Sequence, residues 1–403
     1  MQRLTGIERN YAWGSFEAIQ RLLGKSPTDR RVAELWFGAH PDAPALLADA
    51  GDGGAPRDLR SLIEADPEGC LGEDVVSRFG PRLPYLLKLI APAKPLSLQV
   101  HPSLERAQEK FAEENATGIA MDDPRRNYRD PNHKPEMVFA LNTFEAVCGF
   151  RAPRRAVELL ADLDAPLARR LRDLLHAEPT AVGVRWAFTS LLDPSTRPTP
   201  GEVQELVAAC AARLENGSPS PRADSTVVHL AKDFPGDPGV ISTLLLNPVT
   251  LQPGDALFIP AGGVHAYLHG LGVEIMASSD NVLRAGLTEK HIDVDEMLDC
   301  VDYVAAPPIR PAPEIFHGAT RMYYAPVDDF ELSVTDLADE NGEPHHPLPG
   351  RGPRIIVCLD GEIEITSTTG KLSLSRGQAI FVRADEGRLT GHGRGRIVQA
   401  DVP

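Results

Sequence analysis

Between Pro95 and Pro102 the chain alternates, with Leu96, Leu98 and Val100 on one parity and Gln99 and His101 on the other. Period-two alternation predicts a strand, on which residues two apart share a face. The aliphatic set then packs, and Gln99 and His101 are presented together toward a cavity or solvent. Residues 1 to 150 carry more short apolar runs broken by Pro, Gly and Asp, among them Ala33–Pro41 and Leu86–Ile90, a β-rich texture. Leu59–Ala65 and Leu104–Glu114 have helical periodicity instead, the second opened by Ser103 as an N-cap.

From Pro153 to Leu214 the apolar spacing changes to threes and fours, predicting several helices. The polar tract Glu215–Pro221 interrupts them, and short apolar runs resume near Thr226. Because strand signals lie on both sides, the helical block reads as an insertion into one β domain. A short helix over Val294–Leu298 leads to the Pro-rich stretch Ala306–Pro313, a domain boundary. Residues 320 to 403 are strand-like again, with Arg354–Leu359 and Glu362–Thr366 flanking an Asp360-Gly361 turn. One internal echo links the two β regions: Leu251–Ala261 aligns with Leu374–Ala384, keeping Leu, Gly, Ala, Phe and Ala in place. The second copy lacks a histidine at the offset of His265. The expected organisation is therefore a discontinuous β domain (1–150 and 226–305), a helical insertion (151–225) and a C-terminal β domain (306–403) without metal ligands.

Composition narrows the function. At 403 residues the chain exceeds one ordinary core. Its net charge of −16, from 41 basic and 57 acidic residues, argues against nucleic acid or an anionic membrane as partner. A small anionic substrate would need a local basic patch. The five cysteines are far apart and form no Cys-x-x-Cys pair, which suits a reducing cytoplasm and no thiolate metal site. The first ten residues lack the apolar core of a signal peptide. The most apolar window, around residues 83 to 100, is interrupted by Lys88 and Lys94 and predicts no membrane span.

Two further polar clusters complete a site with Gln99 and His101. One is Asn132-His133-Lys134-Pro135-Glu136, followed by the apolar run Met137–Leu141; the other is the strand, glycine turn and histidine of Gly254–His265. Together they offer two imidazoles, one carboxylate and one amide oxygen. That donor set suits zinc or another divalent first-row metal, and the absence of thiolates favours a catalytic over a closed structural site. The Gly-Asp pair, apolar run and Pro-x-Gly-x-x-His pattern ending at His265 resembles the second motif of cupin barrels. His40, His176, His229, His269, His345 and His346 have no comparable context and read as structural or surface residues.

Over nearly its whole length the chain resembles the type I phosphomannose isomerases. The resemblance rests on Asn10–Ser15, Glu34-Leu35-Trp36 through Ala39-His40-Pro41, Pro95–Pro102, Asn127–Glu136 and Ala277–Thr288. It implies two cupin (jelly-roll type) β-barrels plus an α-helical domain, mainly β overall. It implies one Zn2+ held by Gln99, His101, Glu136 and His265, with Arg284 as the active-site arginine. The implied reaction interconverts D-mannose 6-phosphate and D-fructose 6-phosphate through a cis-enediol, in a cytoplasmic monomer able to serve GDP-mannose biosynthesis.

Such a reaction needs a base, for which Lys134, Glu274 and a ligand such as His101 remain open. Lys134 could equally only fix the Glu136 carboxylate. For the phosphate, Ser97, Lys94 and Lys290 are candidates, with Lys290 favoured by its place after the Arg284 segment. Two other readings compete. A non-haem iron oxygenase also uses two histidines and a carboxylate, but Gln99 would fill a position that oxygen chemistry needs. A non-catalytic sugar-binding bicupin fits the ligand-poor second β domain, but not Arg284 and Lys134 beside a metal.

Overall fold

A computed structural model of the chain describes residues 1–48, 57–338 and 345–403. It is a mixed structure of sheets and helices, mainly β outside its central helical run. The strands nearest the site are β1 (Gln2–Thr5), β2 (Ile7–Arg9), β3 (Glu34–Phe37), β4 (Leu46–Leu47), β5 (Tyr85–Ile90), β6 (Leu98–Val100), β7 (Glu136–Ala140), β8 (Phe144–Phe150), β9 (Leu246–Leu251), β10 (Ala256–Ile259), β11 (His265–His269), β12 (Gly272–Ala277) and β13 (Leu283–Gly286). All of these but β1 and β4 form a six-stranded sheet in the order β10-β7-β12-β5-β3-β2 and a five-stranded sheet in the order β13-β6-β11-β8-β9.

The two sheets face each other. Ile90, Val138, Ala140 and Ile259 of the first share a buried cluster with Ala146, Cys148, Val249 and Tyr267 of the second. The outer face of the five-stranded sheet, with Leu98, Val100, Val147, Ala266 and Leu283, packs on the helices. The outer face of the six-stranded sheet, with Leu35, Leu87, Leu89, Phe139 and Ile275, packs on C-terminal strands through Val357, Val398 and Phe381. Strands sandwiched on both faces lose the polar half of their alternation, which is why β5 reads Tyr-Leu-Leu-Lys-Leu-Ile and is buried throughout.

The helical layer comprises Pro153–Ala161, Pro166–Ala177, Ala181–Leu192, Pro200–Glu215, Pro221–Asp233 and Pro238–Ser242. Most open on proline, whose fixed φ suits a first helical turn. A Thr199/Glu202 capping box starts the longest. Helical structure continues past the tract at 215–221, so the apolar run from Thr226 lies in a helix. Arg213 donates to both oxygens of the fully buried Asp224, at 2.8 and 2.6 Å, and locks two of these helices together. The last turn reaches the site: Asp237 accepts from the amides of Gly239 and Leu287, and a Cβ at Gly286 would meet Gly239 Cα at 2.8 Å. No side chain fits between helix and strand there.

The C-terminal strands form a ten-stranded sheet among the described residues, and β1 and β4 belong to it. β1 pairs antiparallel with Ala379–Val382, with Leu4 opposite Ala379. The expected hairpin at Asp360-Gly361 is one strand, Arg354–Thr366, with an irregularity between Cys358 and Asp360 and both halves paired to Leu389–Asp401. Gly361 has φ 76° there, and the backbone of Arg394 lies where a Cβ would go. The internal echo is structural as well: Gly254 and Gly377 both take positive φ in the turn before a short buried strand. The Pro-rich stretch is not a free linker, because the Ile309 carbonyl accepts from the Phe258 amide at 2.9 Å.

Candidate metal centre and catalytic cavity

Register alone assembles half of the site. Arg284 on β13 stands opposite Gln99 on β6, which stands opposite His265 on β11, which stands opposite Cys148 on β8. Directly paired residues project to one face, so this row points at the six-stranded sheet. His101, two residues beyond Gln99, joins it. From the facing sheet, the first residue of β7, Glu136, brings its carboxylate between the imidazoles. His101 Nε2 lies 3.3 Å from Glu136 Oε1, and His265 Nε2 lies 3.3 Å from Glu136 Oε2. All three side chains are almost completely buried.

The tautomers make this trio a donor set. His101 Nδ1 is 2.7 Å from the Asn281 carbonyl and His265 Nδ1 is 2.9 Å from the Gly263 carbonyl. A carbonyl only accepts, so each Nδ1 carries the proton and each Nε2 keeps its lone pair. Both Nε2 atoms and Glu136 Oε2 are buried without a hydrogen-bond partner. Orphaned polar atoms of this kind are costly unless something binds them, and a divalent cation fits three converging lone pairs with Gln99 beside them.

A second group, His40, Asp42 and Asp280, is as closely spaced but differs in chemistry. His40 Nδ1 faces the Asp42 amide N–H at 3.3 Å, so its proton is on Nε2, which turns to Asp280 at 3.3 Å. With its lone pair taken by the Asp42 amide, this is an imidazole–carboxylate contact rather than a metal-ready imidazole.

The surroundings of His101 and Glu136 keep both deprotonated. Burial pushes the His101 imidazole down to about 4, and Lys134 adds to this. Burial alone would raise the Glu136 carboxyl, but Lys134 holds it well below its ordinary value. Lys134 Nζ sits 2.9 Å from Glu136 Oε1. Two strands away, Lys88 Nζ is 3.1 Å from Glu274 Oε2 and 3.8 Å from Glu34 Oε1. Burial works to lower the Lys88 ammonium, yet Glu274 and Glu34 raise it above its usual range. Glu274 itself is pushed up by burial against the pull of Lys88, with Glu136 and Glu34 adding repulsion. Three carboxylates share two ammonium groups here, so one carboxylate holds a proton readily.

Of these groups Lys134, Lys88 and Glu34 line a cavity of about 730 Å³, and the donor trio lies behind it. Gln99, Lys134, Ser97 and Arg284 line it, and Lys290 and Lys94 stand at its edge. Lys94 is already engaged, donating to Asp233 of the helical layer at 3.1 Å. Among the described residues, Arg284 and Lys290 have no acidic partner. Burial lowers both, and the neighbouring Arg129 lowers them further, as does Arg284 in the case of Lys290. Three mutually repelling cations in a chain of net charge −16 make a local anion seat. Glu274 is on the sheet behind the cavity, joined to it through Lys88. His133 turns away to Asp329, 2.9 Å distant.

Sequence reading missed Lys88, Arg129, Glu34 and Asp280 as cavity residues. Lys88 entered only as a charge interrupting an apolar window. A lysine inside a strand with apolar residues on both sides is the signal that was there to use, since such a lysine needs buried carboxylates. His40, read as structural or surface, is buried beside the cavity because Trp36 packs edge-on against it.

A set of nitrogen and oxygen donors between two β-sheets, beside a charged cavity, is the arrangement of a metal-dependent enzyme acting on a small anion. Comparison with known proteins makes the class specific. Residues 1–153 match the model of the phosphomannose isomerase type I catalytic domain. The chain is 38% identical to mannose-6-phosphate isomerase from Escherichia coli (strain K12), over 99% of both chains. It is 39% identical to that of Salmonella typhimurium, again over 99% of each. A zinc-bound crystal structure of a mannose 6-phosphate isomerase, 38% identical, superimposes with a TM-score of 0.88 over 99% of this chain and 98% of that one. The chain belongs to the mannose-6-phosphate isomerase family.

Proposed function

We propose that this protein is a zinc-dependent aldose–ketose isomerase interconverting D-mannose 6-phosphate and D-fructose 6-phosphate. The observation that carries the reading is that three orphaned, buried donor atoms lie directly behind Gln99 and Lys134, which line the cavity that also holds a cationic seat without an acidic partner among the described residues. His101 Nε2, His265 Nε2, Glu136 and the Gln99 amide oxygen would hold the ion. Bound there, zinc supplies a Lewis acid that acidifies the carbon-bound proton beside the sugar carbonyl.

The chain's own groups do the rest. Arg284 and Lys290 receive the phosphate end or the developing enediolate charge, with Arg284 in register beside Gln99 and so nearer the reacting carbons. Lys134, charged against Glu136, holds a proton within reach of the ligand set. Glu274, whose proton affinity burial raises, lies behind the cavity and exchanges a proton with it only through Lys88, which leaves Lys134 as the candidate base on the cavity wall. Ser97 offers a hydroxyl to the phosphate. Lys94 closes the lip through Asp233.

The facing sheets support a cupin barrel for the catalytic domain (1–150 and 226–305). We read residues 306–403 as a second, metal-free cupin-like barrel. The insertion (151–225) is best carried on to Ser242, where the helices end. A cytoplasmic monomer suits this reading; no helix among the described residues is long and apolar enough to cross a membrane.

The test is formation of fructose 6-phosphate from mannose 6-phosphate before chelation, after it, and after zinc is returned. Loss and zinc-specific recovery are expected. No turnover by folded, zinc-loaded protein overturns the reading, and oxygen consumption with iron would point to an oxygenase instead.

A further inference from the structure

The Glu34-Leu35-Trp36 motif has no part in the proton transfer described above, yet it puts a charged group on the cavity wall. β3 pairs with β5 so that Trp36 stands opposite Lys88, and β5 pairs with β12 so that Lys88 stands opposite Glu274. Glu34, two residues from Trp36, shares its face. A single row of polar side chains thus crosses the six-stranded sheet toward the donor trio.

Within that row the two oxygens of Glu34 differ. Oε2 accepts from the Trp36 indole N–H at 2.6 Å. The indole is itself fixed, with the Arg9 guanidinium 4.8 Å and the Lys88 ammonium 5.0 Å from its ring centre. Oε1 is 3.8 Å from Lys88 Nζ, beyond hydrogen-bond reach, because Lys88 is drawn to Glu274 at 3.1 Å. The Glu34 side chain is only 8% exposed, and among the described residues no donor serves Oε1. A rigid, nearly buried carboxylate oxygen facing a cavity and lacking a donor is the counterpart of a substrate O–H.

We propose that Glu34 Oε1 accepts a hydrogen bond from the C3 or C4 hydroxyl of the bound hexose phosphate, which makes Glu34 a specificity-determining residue. This rests on the isomerase reading. The phosphate is drawn to the Arg129, Arg284 and Lys290 side and C1–C2 to the donor trio, which leaves the middle of the chain to the wall that Glu34 occupies. Glu34 touches no reacting atom. Its contribution is to reject hexose phosphates that cannot donate at that position, since an unmatched buried carboxylate then stays desolvated.

The test compares kcat/KM of the zinc-loaded enzyme for mannose 6-phosphate with that for its 3-deoxy and 4-deoxy analogues, in the native protein and in Glu34→Gln and Glu34→Ala. Glu34→Gln keeps an acceptor for the Trp36 indole and guards against a variant that fails to fold; melting temperature and zinc content are read alongside. Native enzyme should disfavour one analogue by about 10- to 100-fold, as a hydrogen bond to a charged group implies. In Glu34→Ala that preference should shrink to within about threefold, with the loss on mannose 6-phosphate falling mainly on KM. Unchanged discrimination in both variants, with normal turnover, overturns the Glu34 assignment alone. Absence of turnover by the native enzyme overturns the isomerase reading and this inference with it.

Discussion

Gln99 and His265 stand directly opposite each other on adjacent antiparallel strands, so the amide and one imidazole of the donor set are fixed by sheet register rather than by loops. A slip of one residue would turn both to the helical layer. The site therefore inherits the rigidity of the five-stranded sheet, and its substitutions should act locally.

Replacing His265 or His101 by Ala should remove metal and activity together. Zinc per chain should fall well below one, and turnover by about 100-fold or more, since even groups that only support metal ligands cost 10- to 100-fold. Elemental analysis beside the isomerase assay checks this. Full activity in His265→Ala would refute the ligand assignment.

Arg284→Ala should keep its zinc and lose turnover by about 100- to 1,000-fold, the range for removing one preorganised donor to developing charge. Metal loss in this variant would mean that Arg284 supports Gln99 instead of substrate.

Lys134→Met separates two roles for one ammonium. Glu136 loses a competing cation, so zinc should bind at least as tightly, while kcat drops by about 100-fold or more if Lys134 handles a proton. A fall in zinc content with unchanged turnover per bound zinc would leave Lys134 only the task of holding Glu136.

Removal of zinc should also destabilise the fold. At a free zinc concentration about 1,000 times its Kd, binding adds about 4 kcal/mol. Thermal unfolding with and without chelator would show the loss, and His265→Ala should be insensitive to the same treatment.

A pH effect is expected far from the metal. Burial pushes the Asp401 carboxyl up to about 8, against the pull of Arg354. Its Oδ1 accepts from the Val402 amide at 2.8 Å, and Oδ2 is orphaned. The folded state thus prefers the protonated form, whereas the unfolded carboxyl has a pKa of about 3.9. The stability this provides is complete below about pH 4 and is lost as pH rises through 8. Asp401→Asn should match the native protein in melting temperature near pH 4 and exceed it near pH 8. Parallel curves across that range would contradict the assignment.

How much was legible beforehand follows from what each signal depends on. The Gln99/His101 pair, Glu136 at the head of an apolar strand and His265 after its glycine turn are local patterns. Lys88, Glu34 and Arg129 become cavity residues only through pairings such as Trp36 with Lys88 and Lys88 with Glu274, which join strands far apart in sequence. The phosphate side shows the same limit: the sequence prefers Lys290 to Lys94 only by its place after the Arg284 segment, and the fold alone brings Asp233 to neutralise Lys94. Likewise Asp360-Gly361 has the chemistry of a tight turn, but a long partner strand carries the chain straight through it.

The pairing of β1 with the C-terminal sheet also bears on biosynthesis. Arg3 donates to Gln378, 375 residues further along, at 3.2 Å. At ribosomal rates of about 5 to 20 residues per second, β1 waits roughly 20 to 75 s for the strand that receives it. Only Leu4 of Gln2–Thr5 is buried in the finished sheet, and Arg3 is a charged gatekeeper on the segment. A nascent chain can thus carry this edge exposed with little tendency to pair with its neighbours on the polysome until Ala379–Val382 emerges to receive it.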